Sequence, residues 1–466
     1  NSTPTSFTPR KDPAPLPRKR CTPSPGQSAS ATRKQQQQLL RSKRERKMLK
    51  ALSSPRKKRA AAAAAAAGEA DDAPLNGNRV AVVTGGSGFL GRHLVRALEE
   101  SGRYSEVVVF DVRPWQAPKW PAASKAPKSS SKTRTRGVVG DLTDPTSVIN
   151  GLRGASVVFH CATAAPAASN AANRGLMTRV NVDGTRNVVE ACISNAIPRL
   201  VFTSSASVVF DGRDLSGVDE SAPYATRPMD YYAATKIEAE RIVLAANGAE
   251  LKGKGKGKMK KLLRTVALRP SGIFGEHDAL LVPTIVEKAK VGKMKFIIGS
   301  GRNVMDWTYA GNVAAAHLAA DGKLEREENE ASEESGGAGG RKAARSKNIT
   351  IAGKPYFVTN DDPRSFWGFM GDLLEPLGYE RPRIRLPFWP LYAISWLVAT
   401  VVALLNLVPG LSVPSSDFSP MRITISAAER RLSCGAAKRD FGYVPSVSVE
   451  EGVKRTVAAF AHLKKK

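Results

Sequence analysis

The chain has 466 residues, of which 42% are hydrophobic and 24% charged. That length suits one large α/β unit with extensions or a few compact domains, and that apolar content buries a sizeable core, which excludes a wholly disordered chain. The formal net charge is +29, yet residues 1–75 alone carry +12, and Arg113–Arg136 and Lys252–Arg264 add seven basic residues each with no acid. The excess charge therefore belongs to low-complexity sequence and not to one folded face, so no nucleic-acid partner is expected. Cys21, Cys161, Cys192 and Cys434 are scattered without a CxxC pair, and His93, His277, His317 and His462 show no ligand spacing. Neither a disulfide framework nor a metal site is expected, and the compartment reads as reducing.

In chain order, residues 1–77 read as a disordered basic tail: Pro-rich, then Gln35–Gln38, a Lys/Arg cluster and the alanine run Ala60–Ala67. Ser54–Arg59 (SPRKKR) is similar to a nuclear localisation patch but reads as a solvated run. The acid-poor, Ser/Pro/Arg-rich start leaves an organelle transit peptide open. Order is expected from Asn78. RVAVVTGGSGFLGRHLVRALEESG reads strand, glycine turn, helix, with Leu90, Leu94, Val95 and Leu98 at helical spacing. EVVVFD, ASVVFHCA, PRLVFTSSASVVF and TVALRPSGIFG follow as buried strands with helical stretches between them. This alternation predicts an α/β fold: a doubly wound Rossmann-type parallel sheet over 78–385, with a smaller C-terminal substrate region over 415–466. Three segments, 113–136, 252–261 and 321–347, read as insertions in surface loops. Phe388–Val408, within a hydrophobic segment at 386–414, has 21 uncharged residues with aromatics at one end and Arg381, Arg383 and Arg385 upstream. Membrane association is expected there, by dipping into one leaflet rather than crossing; a buried core helix is the alternative.

Two constellations carry chemistry. Gly85, Gly88 and Gly91 form GxxGxxG between strand and helix, with Phe89 and Leu90 opening the helix. Glycine there lets the backbone turn tightly and approach a pyrophosphate, while the helix N-terminus offers free N–H groups. Asp111 ends the next strand 20 residues after Gly91, where an acid accepts from an adenosine ribose and favours NAD; Arg113 keeps NADP open. Tyr232 and Lys236 share a helix face at i and i+4, so the ammonium is expected to lower the phenol pKa. Upstream, Ser205 closes a strand where it can donate to a substrate oxygen. His160 is expected to pack, and Asp306 and Trp307 either line a pocket or support a loop.

TGGSGFLG, GDLTD, FHCATAAP, RVNVDGTRN, FTSSASVVF, YYAATK and LRPSGIFG, in this order, resemble the extended short-chain dehydrogenase/reductase family, and RNVMDWTYAGNVAAAHLAA places the likeness in its 3β-hydroxysteroid dehydrogenase branch. The resemblance implies Ser205, Tyr232 and Lys236 as catalytic residues, Asp141 and Leu142 near the adenine, Ala162 along the cofactor and Pro270 beside the nicotinamide. It further implies NAD(P)-dependent oxidation of the 3β-hydroxyl of a 4α-carboxysterol with loss of CO₂. A 3β-hydroxysteroid dehydrogenase/isomerase, another family reductase or epimerase, and a non-catalytic dinucleotide-binding scaffold are the alternatives. The partners it implies are a sterol, a membrane surface or bilayer, other enzymes of sterol C-4 demethylation and a second copy of the chain. The implied location is the endoplasmic reticulum membrane facing the cytosol, with a plastid or other organelle membrane as the alternative.

Overall fold

The computed structural model describes residues 79–124, 133–164, 173–252, 260–336, 349–407, 413 and 418–465. The tail over 1–77, the SPRKKR run, most of Lys252–Lys261 and most of 408–417 lie outside the described residues.

Among the described residues, seven strands form the central sheet: β1 Val80–Thr84, β2 Glu106–Asp111, β3 Arg134–Val139, β4 Val157–His160, β5 Arg199–Thr203, β6 Arg264–Pro270 and β7 Lys354–Val358. They lie in the order β7-β6-β5-β4-β1-β2-β3 and every pair is parallel. The direction of winding reverses between β1 and β4, so the crevice at the carboxyl ends of these strands is where such a sheet takes its ligand. The helices α1 Phe89–Ser101, α2 Gly184–Ser194, α3 Tyr231–Ala245 and α4 Ala310–Gly336 cover the faces. Leu94 and Leu98 of α1 and Val313 and Leu324 of α4 bury one face, and Val188 and Cys192 of α2 with Ala239 and Val243 of α3 bury the other. This is the doubly wound architecture expected from the alternating pattern.

Two expected insertions are smaller than their sequence suggests. Arg134–Arg136, read as the end of a loop, are the first residues of β3. At a sheet edge their charged side chains face outward: Arg136 pairs with Glu106 at 2.9 Å, and Thr135 donates to Glu99 at 2.6 Å. The preceding segment also packs, with Trp120 edge-on to His93 at 4.9 Å and to His277 at 4.7 Å, beneath the Arg96 guanidinium. Residues 321–336, read as loop, continue α4. The cause is the acid spacing: Asp321, Glu325 and Glu328 fall on one face and meet Arg199 at 2.8, 3.5 and 2.7 Å, while Arg79 holds Glu325 at 2.9 Å. A composition that looks like solvated low complexity is here one side of an ion-pair network with a fully buried aspartate.

A second, four-stranded sheet joins Arg364–Ser365, Val304–Met305, Arg430–Leu432 and Leu215–Val218. After it, α5 Phe388–Leu405 buries only Ser395, leaving Trp389 74%, Leu397 65% and Leu404 58% exposed, so the core-helix alternative is excluded. The chain then returns: Arg430–Leu432 pairs with Leu215–Val218, and the last helix, α6 Val449–Ala459, buries Val449 and Val453 against Phe274, Tyr309 and Phe369. Val449, Val453, Val457 and Phe460, at i, i+4, i+8 and i+11, form the face that packs.

Candidate active site

The glycine turn begins where β1 ends. Gly85 has φ +72°, and a Cβ there would lie 2.6 Å from Ala162 Cα; a Cβ on Gly91 would meet the Gly85 carbonyl oxygen at 2.2 Å. Only glycine allows strand, turn and helix to approach this closely. α1 starts at Phe89, so the amides of Phe89 and Leu90 open the helix without intrahelical acceptors, while the Leu90 side chain packs on the core. Asp111, at the end of β2, is buried and accepts from Ser87 N at 3.1 Å and Arg113 N at 3.0 Å, with Arg113 Nε 3.5 Å away. Asp141 is exposed just beyond β3, whereas Leu142 is a core residue beneath α2, its carbonyl accepting from Asn187 at 2.8 Å. Pro270 ends β6. Gly85, Asp111, Ala162, Ser205 and Pro270 thus share the carboxyl edge of the sheet, and the turn fits a dinucleotide: bare backbone, a helix N-terminus and an acid in sequence. Gly85→Ala, with a strained φ and a clash against backbone, is expected to abolish NAD binding measured by calorimetry.

The second group lies on the other side of the switch point. Asp230 caps α3 by accepting from Ala233 N at 2.7 Å, which puts Tyr232 in the first turn and Lys236 one turn further. The buried Lys236 ammonium donates to the Thr203 carbonyl at 2.9 Å, lies 4.8 Å from the Phe202 ring centroid and 6.0 Å from that of Tyr232. Burial pulls its pKa down to about 8. The expected lowering of the Tyr232 pKa is not found: burial raises it well above the ordinary tyrosine value, and the nearby Asp230 carboxylate adds to the rise. Burial outweighs the helical spacing, and one Lys236 N–H is directed at the Thr203 carbonyl. Ser205 accepts from Ser207 N at 3.2 Å and Ser207 Oγ at 2.9 Å, which leaves its own proton to donate. Behind α3, Glu240 accepts from Arg269 Nη2 at 2.6 Å and Tyr224 at 2.8 Å, fixing the helix to the end of β6.

Sequence reasoning missed Asn181 and Thr163. Asn181 is buried within the π-helical turn Thr178–Asp183, a widened turn that recurs at functional sites. Its Oδ1 accepts from Thr163 Oγ1 at 3.0 Å and Ala164 N at 2.7 Å, and its Nδ2 donates to Thr235 at 3.0 Å, tying the loop after β4 to α3. The only signal was RVNVDGTRN, which carries no periodicity that marks Asn181. Asp306 and Trp307 support their loop: Asp306 accepts from Leu432 N at 2.7 Å, and Trp307 stacks on Phe369 at 4.0 Å.

His160 packs, as expected, between Thr84 at 2.7 Å and Thr185 at 3.0 Å, and burial lowers its pKa to about 3. His93 and His317, also buried, are lowered to about 4, again chiefly by burial. Folded histidines that refuse protons the unfolded chain accepts make stability rise with pH up to the unfolded value near 6.5 and fall on acidification below it. Chemical denaturation from pH 7 to 4 is expected to show a loss of up to about 1.4 kcal/mol per pH unit for each histidine, and His160→Asn to make the decline shallower.

Residues 82–388 match the 3-beta hydroxysteroid dehydrogenase/isomerase family. The chain is 37% identical over 383 residues to a mouse sterol-4-alpha-carboxylate 3-dehydrogenase, decarboxylating, covering 82% of this chain and 91% of the relative. It is 41% identical over 395 residues to an Arabidopsis thaliana 3beta-hydroxysteroid-dehydrogenase/decarboxylase isoform 1, covering 83% and 80%. Among solved structures, a Thermus thermophilus UDP-glucose 4-epimerase in complex with NAD is 21% identical with a TM-score of 0.52, covering 82% of this chain and 98% of that one; this likeness concerns the fold alone. Matched by the family model over residues 82–388 and by these relatives over more than four fifths of its length, the chain belongs to the 3-beta hydroxysteroid dehydrogenase/isomerase family.

Proposed function

We propose that this protein oxidises the 3β-hydroxyl of a 4α-carboxysterol to the ketone and releases the carboxylate as CO₂, with NAD as the favoured cofactor. The observation that supports the reading is that Lys236 lies one turn from Tyr232 and bonds to the strand end that leads into Ser205, on the same carboxyl edge as the glycine turn, in a chain that covers 91% and 80% of relatives that bear such names. When bound, NAD would supply the hydride acceptor and the positive charge of its oxidised ring. Tyr232 takes the proton of the 3-hydroxyl, and Ser205 donates to the same oxygen. Lys236 ties α3 to the strand end next to Ser205 through the Thr203 carbonyl and so positions Tyr232. The resulting β-keto acid loses CO₂ as the C4–carboxyl electrons pass to the C3 oxygen. Ser205 and the Tyr232 proton face that oxygen, and protonation at C4 completes the step. A panel of a 4α-carboxysterol, a Δ5-3β-hydroxysteroid and a UDP-hexose, with products weighed by mass spectrometry, tests the reading. Loss of CO₂ from the first supports it; turnover of only the second or third refutes it.

The reaction site is proposed to lie on the cytosolic side of the endoplasmic reticulum membrane, with α5 dipping into one leaflet. Support comes from the exposed apolar side chains of α5 and from the two flanks of α5 lying in one folded unit. A crossing would separate Arg430–Leu432 and α6 from the strands and aromatic residues they pack against. A return through hydrocarbon as irregular backbone would leave amides unsatisfied. A C-terminal glycosylation tag is expected to stay unmodified and protease-accessible in sealed microsomes; a glycosylated, protected tag would refute the topology.

A further inference from the structure

Arg430 stands out among the basic residues of the substrate side. Its strand pairs it with Met305, whose methyl lies against the turn after Pro270: a Cβ on Gly272 would meet it at 2.7 Å. Two residues on, Leu432 packs with Ala206, next to Ser205, and with Ile237, next to Lys236. The guanidinium lies 5.5 Å from the Phe210 ring centroid and 5.8 Å from that of Phe366. Phe210 ends the short turn that Ser205 begins. Beyond Phe210, a Cβ on Gly212 would meet Met229 at 2.9 Å and Thr424 at 3.4 Å, so this wall is continuous with the segment leading into Tyr232. Arg430 is therefore bracketed by the segments that carry Ser205, Tyr232 and Pro270.

Its polar atoms are poorly served. Nη2 donates to the Ile425 carbonyl at 2.9 Å, while Nε is buried without an acceptor. Among the described residues no carboxylate pairs with it: the adjacent Glu429 is engaged by Arg431 at 2.7 Å, and Asp306 accepts from Leu432 N. Burial without an opposing charge pulls its pKa down to about 10, which leaves it protonated at neutral pH. A guanidinium held between two aromatic rings with a buried, unused N–H is a costly arrangement unless an anion completes it.

We propose that Arg430 is the counter-ion for the carboxylate of the substrate, and so a residue that selects carboxylated sterols. The inference rests on the 4α-carboxysterol reading. In that substrate the carboxyl is on the carbon next to C3, so it must lie beside Tyr232 and Ser205, whose segments adjoin the wall that carries Arg430. The role is one of binding. During CO₂ release the negative charge moves from the carboxylate to the C3 oxygen, away from Arg430 and toward Ser205 and Tyr232, so a strong bidentate clamp would oppose the step. One free Nε donor flanked by rings selects the anion with a looser grip.

The test compares dissociation constants, in the presence of NADH, which cannot accept a hydride from the sterol, for a 4α-carboxysterol and for the same sterol lacking the carboxyl, read by calorimetry. Wild-type protein is expected to prefer the carboxylated sterol by about 10- to 100-fold, the range of a hydrogen bond to a charged group. In Arg430→Met the preference disappears while affinity for the uncarboxylated sterol stays within about threefold. Arg430→Lys, which keeps a cation in the same cage, retains part of the preference and guards against a packing effect. A preference that survives Arg430→Met, or equal behaviour of the Lys and Met variants, overturns the proposal. Should wild-type protein release no CO₂ from the carboxysterol, the functional reading itself falls; CO₂ release with an unchanged preference in Arg430→Met overturns only the role of Arg430.

Discussion

Tyr232→Phe is expected to lower kcat by about 10²- to 10⁴-fold, the usual worth of a positioned proton acceptor, while NAD affinity stays near wild type. The phenol oxygen is the only atom removed, and the glycine turn that holds the dinucleotide is contributed by β1 and α1, on the far side of the switch point. Because burial and Asp230 raise the phenol pKa, the oxidative rate is also expected to climb with pH from neutral into the alkaline range, since deprotonation creates the active form. Lys236→Met should flatten kcat similarly, but for a second reason: without the ammonium, the Thr203 carbonyl at the end of β5 loses its donor, and the strand end next to Ser205 loosens. Wild-type-like turnover in Tyr232→Phe would remove this residue from the mechanism.

Asp321→Ala is expected to destabilise the protein by about 3–5 kcal/mol, seen as a fall of several degrees in Tm. Asp321 is fully buried, accepts from Tyr104 and pairs with Arg199 at 2.8 Å and Arg103 at 3.4 Å. Its removal leaves two arginines and a tyrosine hydroxyl short of an acceptor at the amino end of β5. Glu333→Ala, three turns further along the same helix and exposed, is expected to change stability by less than about 0.5 kcal/mol. Were residues 321–347 a surface loop, both variants would behave like Glu333→Ala. A Tm unchanged in Asp321→Ala would therefore contradict the helix and its network together.

What could be read in the sequence was what local chemistry dictates. VAVVT and EVVVF announce buried parallel strands because both faces are covered. GxxGxxG announces its turn because any side chain at Gly85 or Gly91 collides with backbone. Tyr232 and Lys236 announce a shared face because the helical repeat places them there. The misreadings arose where distant residues decide. Arg134–Arg136 look like a basic loop, and only β2, 28 residues earlier, makes them an edge strand. The acids after Asp321 look like a solvated run, and only arginines from three other segments make them a buried face. The pKa of Tyr232 went the other way because spacing fixes a face but not the burial of the phenol or the Asp230 carboxylate beside it. Asn181 and Arg430 were silent for the same reason: each owes its meaning to neighbours that the chain brings from elsewhere.

The most direct measurement of the central claim uses a 4α-carboxysterol labelled in its carboxyl group, incubated with purified protein and NAD, with NADH and labelled CO₂ followed in the same vessel. One CO₂ released for each NADH formed, with both lost in Tyr232→Phe, is the predicted result. NADH without CO₂, or neither product from folded protein that binds NAD, would contradict a decarboxylating 3β-hydroxysterol dehydrogenase.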